Sequence, residues 1–270
     1  GNSATTSDFS ERLCVRNVMT GQQVQSATVA ITGTLGADEA AQRSAQIIWL
    51  AGILGQGIFE FSVVTDIFDQ VAEANITATG ETNNSTAETI TSAPDLQIRN
   101  LAITNSAPAS GDVITLTWDE SNPGNVGTLA GFDNRLLVQN LTTGETLLNS
   151  TIITTSALAA GESRARTTSF TLPEGQRAVG DIRVTIIADS NANGQTSVRE
   201  AAAGVAAEGN NSAQAAVAVT ARQYADLRVS NVSAPANGLG GGNITVSWTV
   251  TNAGVATADG VAWTDRVILS

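Results

Sequence analysis

The chain has no histidine and no lysine, one cysteine, one methionine and one tyrosine, and aromatic residues fill only 4% of its 270 positions. Each absence excludes something. Without histidine there is no imidazole to serve as a general acid or base near neutral pH, and none to ligate a transition metal. No serine stands in a Gly-x-Ser-x-Gly turn, so the common nucleophile elbow is missing as well. Cys14 has no second cysteine to pair with, which rules out a disulfide framework; in a strand-like apolar run it is expected to be a buried, inert thiol. The apolar run Ile47-Ile48-Trp49-Leu50-Ala51-Gly52-Ile53-Leu54 falls far short of the roughly 20 residues that cross a bilayer as a helix, so no membrane insertion is expected. With 25 acidic residues against 13 arginines the formal charge is −12, and no basic patch exists to neutralise phosphate. Nucleic acid is therefore not an expected partner, and charged partners should be cations. Isolated carboxylate pairs remain, but nothing assembles them into a catalytic constellation, and the chain is expected not to be an enzyme.

What the sequence does contain is itself, repeated. Ser10-Glu11-Arg12-Leu13-Cys14-Val15-Arg16-Asn17 returns as Asp133-Asn134-Arg135-Leu136-Leu137-Val138-Gln139-Asn140, and begins again as Thr264-Asp265-Arg266-Val267-Ile268-Leu269. Arg12 and Arg135 are 123 positions apart, and Arg135 and Arg266 are 131 apart. A repeat of that length is a domain, not a solenoid coil. Val63-Val64-Thr65-Asp66 matches Ile186-Ile187-Ala188-Asp189, Glu81-Thr82-Asn83-Asn84 matches Glu208-Gly209-Asn210-Asn211, and Asp95-Leu96-Gln97-Ile98 matches Asp226-Leu227-Arg228-Val229. Residues 95–225 therefore read as one complete repeat. Residues 1–94, whose Gly1-Asn2 aligns with Gly124-Asn125, read as the later part of a repeat without its first strands. Residues 226–270 read as the opening strands of another. The two partial units are complementary, so either a longer chain continues the array or neighbouring chains complete each other by strand donation.

Runs rich in β-branched and apolar residues, separated by Gly, Asn and Pro clusters, predict an all-β chain. In the complete unit they fall near 95–103, 113–118, 135–138, 147–153, 168–172, 182–187 and 215–221. Seven short strands in about 130 residues suit an immunoglobulin-like β-sandwich, used here in tandem, with Trp118 and Trp248 as large inward-facing side chains of the second strand. The alanine-rich stretch 200–209 is expected to be at most a helical turn.

The elements Ala225-Asp226-Leu227-Arg228-Val229, Ile244-Thr245-Val246-Ser247-Trp248-Thr249-Val250-Thr251-Asn252-Ala253-Gly254, Trp263-Thr264-Asp265-Arg266-Val267 and Glu208-Gly209-Asn210-Asn211 together resemble the CARDB domain, the cell-adhesion-related domain found in bacteria. The resemblance covers nearly the whole chain. It implies an immunoglobulin-like sandwich used in tandem in large secreted or surface proteins as a spacer, adhesin or matrix module. The middle unit departs from the pattern at Asn122-Pro123-Gly124, which follows an acidic Asp119-Glu120 and leaves that loop's geometry open.

One segment carries chemistry. Asp189-Ser190-Asn191-Ala192-Asn193-Gly194-Gln195-Thr196-Ser197-Val198-Arg199-Glu200 fits the twelve-residue calcium-loop pattern, with Asp189, Asn191, Asn193, Gln195 and Glu200 as candidate ligands. A strand rather than a helix precedes it, so its Asp, Asn and Gly residues equally satisfy a simple turn. The sister loop keeps Asp66, Asp69 and Glu73 but not the middle ligands. Ca2+ is the expected cofactor.

Trp49, Leu50, Ile53 and Leu54 form an apolar loop where the sister unit has the polar Pro173-Glu174-Gly175-Gln176-Arg177. They either tuck under their own domain or form an interface. The functional expectation is a structural repeat of an extracellular or cell-surface filament, adhesin or matrix protein, with self-association or chain continuation as its partner contact. The alternative is a carbohydrate- or surface-binding module beside a secreted enzyme, which the low aromatic content disfavours. Any export signal is expected to lie outside this stretch.

Overall fold

In the computed structural model, which describes residues 3–75, 77–258 and 262–268, every regular element is a β-strand or a short 3-10 turn. Gly1, Asn2 and Leu269 of the repeats lie outside the described residues. No described helix is long and apolar enough to cross a membrane.

The first region holds four strands, β1 (Phe9–Asn17), β2 (Gln23–Ile31), β3 (Gly57–Val64) and β4 (Ser85–Ser92), in one antiparallel sheet of order β2-β1-β3-β4. The middle region holds β5 (Gln97–Ile103), β6 (Val113–Ser121), β7 (Asp133–Asn140), β8 (Thr146–Ile153), β9 (Ser163–Thr171) and β10 (Gly180–Ile187), then the two-residue pair β11 (Ala201–Ala202) and β12 (Val205–Ala206), and β13 (Ser212–Val219). Its larger strands make two antiparallel sheets, β13-β10-β7-β8 and β5-β6-β9. This is the immunoglobulin-like seven-strand sandwich expected from the sequence. The first sheet repeats the order of the middle four-stranded sheet: β1, β2, β3 and β4 stand for β7, β8, β10 and β13. Lastly, β14 (Leu227–Ser233) and β15 (Ser247–Asn252), the counterparts of β5 and β6, pair by themselves.

The core of the middle sandwich follows from period-2 alternation. Ile114, Leu116 and Trp118 from β6 meet Leu136 and Val138 from β7 and Ile182, Val184 and Ile186 from β10, all buried. A carboxylate shares this interior. Glu120, at the end of the same inward row, is 1% exposed and is held by the Arg164 guanidinium at 2.9 Å, by Arg166 Nε at 3.2 Å and by the Asn134 side-chain amide. Arg164 and Arg166 alternate inward from β9, so the first half of that strand looks polar in sequence. It was expected only from residue 168 onward and begins at Ser163.

The Asn-x-Gly loop is the same in both copies. Asn122 Oδ1 accepts the Asp95 N–H at 2.9 Å, and Asn252 Oδ1 accepts the Asp226 N–H at 2.9 Å. Each pins the first strand of its repeat to the second. The glycine two residues on is required by close approach. A Cβ on Gly124 would lie 2.5 Å from the Ala93 carbonyl oxygen, and one on Gly254 would lie 2.3 Å from that of Tyr224. Pro123 in place of Ala253 leaves this geometry unchanged.

Two expectations need correction. Cys14 is half-buried rather than buried, because it sits on the outer face of β1, with Sγ 3.4 Å from Gln23 Oε1. The alanine-rich stretch forms the β11–β12 hairpin and a 3-10 turn over Glu208–Asn210.

Candidate metal centre

The site is built by the end of β10 and by the loop that returns to β13. Asp189 leaves the strand at φ 45, a left-handed conformation that aspartate tolerates better than most residues, and Asp66 repeats it in the first region at φ 48. The turn lets its buried carboxylate accept the N–H groups of Ser197 at 3.0 Å and Val198 at 2.7 Å, and the Ser197 hydroxyl at 2.7 Å. Three residues beyond Ser197, Glu200 is fully buried. One of its oxygens accepts the Leu96 N–H at the start of the opposite sheet, and the other accepts the Asn211 amide at 2.9 Å. Glu208 joins from the 3-10 turn. One carboxylate oxygen each from Asp189, Glu200 and Glu208 lie within 4.8 Å of one another.

Burial pushes all three acids up from the ordinary carboxylate range. For Glu200 desolvation dominates, Glu208 and Asp189 add repulsion, and the value reaches about 8. Glu208 is raised by desolvation and then by Asp189. Three acids that resist ionisation in one another's company are a setting that a cation relieves. The donors are all oxygen, which suits a hard divalent ion. Asn211, whose amide N–H2 reaches Glu200, has a buried Oδ1 with no hydrogen-bond partner. That orphaned acceptor fits an ion beside the carboxylates.

The structure thus brings together Asp189 and Glu200, the first and last candidate ligands, but not the ones between. Asn191 Oδ1 accepts the N–H groups of Asn193 and Gln195, and its amide donates to Gln195 Oε1 at 3.0 Å. Asn193 and Gln195 are exposed at the tip of this turn, which is docked on β8 by Ala192 N–H to Thr151 Oγ1 and Asn149 to the Ala192 carbonyl. With a strand rather than a helix before it, the loop closes as an Asx turn instead of wrapping an ion. Glu208 is the residue that sequence reasoning missed. The signal was present in the repeated Glu-x-Asn-Asn element: Glu208 joins the cluster, Asn210 donates to Asp95 at 2.8 Å, and Asn211 holds Glu200.

In the first region Asp66 accepts the N–H groups of Gln70 and Val71 at 2.7 and 2.8 Å, as Asp189 does with its own loop. Glu73 occupies the place of Glu200, but its contact is a backbone N–H to Glu81 Oε1 at 2.8 Å. Asp69 is exposed in the turn. Among the described residues, only the middle triad forms a cluster of this kind.

The apolar loop divides. Trp49 lies on the sheet, edge-on to Phe59 at 4.7 Å and stacked over Phe61 at 6.0 Å, with Nε1 donating to the Gly55 carbonyl, and stays 38% exposed. Leu50, Ile53 and Leu54 line a recess with Asn17, Val24 and Arg199 of the middle region, whose guanidinium donates to the carbonyls of Ile53 and Gln56.

No family model and no curated protein matches the chain. Among solved structures it is similar to the crystal structure of the CARDB domain of the PF1109 protein from Pyrococcus furiosus, described in complex with di-metal ions, at 20% identity and a TM-score of 0.34 over 47% of this chain and 90% of that one. The solution structure of that domain gives 18% identity, a TM-score of 0.33 and coverage of 48% and 98%. Red sea bream transglutaminase gives 14% identity and a TM-score of 0.39 over 82% of this chain and 28% of that one. The middle region's own two antiparallel sheets make it an immunoglobulin-like β-sandwich, the fold that the CARDB resemblance of its sequence implies.

Proposed function

We propose that this chain is a non-catalytic structural repeat of a large extracellular filament, adhesin or surface-matrix protein, and that Ca2+ held by Asp189, Glu200 and Glu208 stiffens the joint between consecutive repeats. The observation that carries this reading is the position of the acidic triad. The loop that bears it also grips the preceding sheet. Arg199 donates to the Ile53 and Gln56 carbonyls, Ala201 is buried with Ile58 and Ala93, Ala201 N–H donates to the Pro94 carbonyl at 3.0 Å, and Gly204 N–H donates to Thr91 Oγ1 at 2.9 Å. Glu200 itself holds the Leu96 N–H just past the connection. An ion there would supply the positive charge that lets the buried Asp189 and Glu200 and the more exposed Glu208 ionise together, while the chain's own residues fix the loop against both regions. Acidic, lysine-free composition and tandem repetition support the extracellular structural role.

Scanning calorimetry tests the metal reading. An ion that binds only the folded state at a hundredfold excess over its dissociation constant stabilises it by roughly 2.7 kcal/mol. Calcium should therefore raise the melting temperature of the wild-type chain over that in chelator, and Asp189→Ala and Glu208→Gln should abolish the difference. An identical wild-type transition in calcium and in chelator would reject calcium at this site.

A further inference from the structure

An asparagine followed by glycine is the step at which a backbone nitrogen most easily attacks the side-chain amide before it, because glycine places no Cβ in the way and bends freely. The chain has two such steps, Asn193-Gly194 and Asn237-Gly238. The fold treats them oppositely. Gly194 N–H donates to the Asn191 carbonyl at 2.9 Å, Asn193 N–H donates to Asn191 Oδ1 at 2.9 Å, and the turn is docked on β8 by Ala192 N–H to Thr151 Oγ1. The attacking nitrogen is engaged there, and the residues around it are pinned.

Asn237 and Gly238 are both exposed in the loop between β14 and β15, and no described residue accepts the Gly238 N–H. The complete sandwich shows that this follows from the loop's own residues. Asn100 and Asn231, both at φ 53, set the register between the β5–β6 and β14–β15 loops, so Ser106-Ala107 stands in the place of Asn237-Gly238. Ser106 and Ala107 are exposed as well. Ala107 N–H, however, is accepted by Asn105 Oδ1 at 3.2 Å, and the counterpart of Asn105 is Ala236, which has no side-chain acceptor. The substitution frees the nitrogen, and Gly240, Gly241 and Gly242 beyond it leave the loop's backbone free to reach the geometry of attack.

We propose that Asn237 is a self-modification site, at which the chain converts its own side-chain amide into an acid, and that the turn around Asn193 shields that residue from the same reaction. The Gly238 nitrogen gives up its proton to solvent and attacks Asn237 Cγ. The new N–C bond closes a five-membered succinimide, the bond from Cγ to the amide nitrogen breaks, and that nitrogen takes up a proton and leaves as ammonia. Water then opens the ring at either carbonyl and yields aspartate or isoaspartate. Both products add a negative charge to the loop, and isoaspartate also routes the backbone through the side-chain carbon on the way into β15.

Peptide mapping by mass spectrometry of the full chain, kept at mildly alkaline pH either folded or in urea, tests this. In the folded chain Asn237 should convert about tenfold faster than Asn193, since an N–H held in a turn reacts only when the turn opens, and its product should separate into aspartyl and isoaspartyl peptides. In urea the two sites should convert at similar rates. Ala236→Asn, which restores the acceptor of the middle loop, should slow Asn237 several-fold and leave Asn193 unchanged. No conversion at Asn237, equal rates at the two sites in the folded chain, a difference that persists in urea, or an Ala236→Asn variant that reacts as fast as the wild type would overturn the proposal.

Discussion

The sheets β2-β1-β3-β4 and β8-β7-β10-β13 have the same strand order, matching sequence landmarks and the same inward apolar row, yet one is the floor of a closed sandwich and the other is open. Ile186 is wholly buried, whereas its counterpart Val63 is 39% exposed. The difference lies in the cover, since the strands themselves correspond residue by residue. In the middle region β5, β6 and β9 supply that cover. In the first region residues 40–48, aligned with β9, form no strand: with no β6 beside them their backbone groups have no ladder to join. Only the Trp49 segment closes part of the gap. Period-2 alternation thus fixes which face of a strand is apolar, and burial of that face depends on a second sheet being present.

Core truncation should separate the two regions most strongly. Leu116→Ala or Leu136→Ala removes fully packed atoms and should cost about 2–5 kcal/mol in chemical denaturation of the middle sandwich. Leu13→Ala and Val63→Ala, on the open face, should cost less than about 1 kcal/mol in the isolated chain. Equal losses on both faces would mean that the first sheet is covered after all.

Next in size is the acid paired with arginine on the inward face of each four-stranded sheet's region. Glu120→Ala leaves two guanidinium groups at the edge of a core without their carboxylate and should destabilise by about 3 kcal/mol. Glu11→Ala, at the position of Asn134 in the first sheet, breaks the partly exposed Glu11–Arg43 pair and should cost no more than about 1 kcal/mol. Fluorescence-detected denaturation of both variants checks the ratio.

A smaller, pH-dependent effect concerns Glu200. Its folded-state value near 8 lies above the ordinary 4.5, so between those pH values the native chain holds a proton that the unfolded chain releases. Without metal, this contribution to stability is fully present below about pH 4.5 and is lost as pH rises to about 8, a decline of at most a few kcal/mol. Glu200→Gln should flatten the decline. With calcium the trend should reverse, because binding requires the ionised acid and strengthens as pH rises. Melting temperatures across that window, in chelator and in calcium, distinguish the two cases.

The fold was legible because strand alternation, glycine-rich turns and internal repetition are local or self-referential signals. The beginning of β9 was not, since Arg164 and Arg166 read as solvent-facing until Glu120 is placed opposite them. The site was half legible. Asp189 and Glu200 could be named from spacing, but that pattern presumes a helical hand, and on a strand end Asn191 serves the turn instead. Glu208 entered through tertiary closure, and only the repeated Glu-x-Asn-Asn element hinted that its side chain had work to do.

Native-state hydrogen exchange on the full chain at low concentration, in chelator, tests the open-face account most directly. Amides of β7 and β10, beneath a second sheet, should exchange only with global opening of the sandwich. Those of β1 and β3, held by the same ladder but uncovered, should exchange orders of magnitude faster. Equal protection of the two strand pairs in the dilute monomer would contradict the claim that the first sheet lacks its cover.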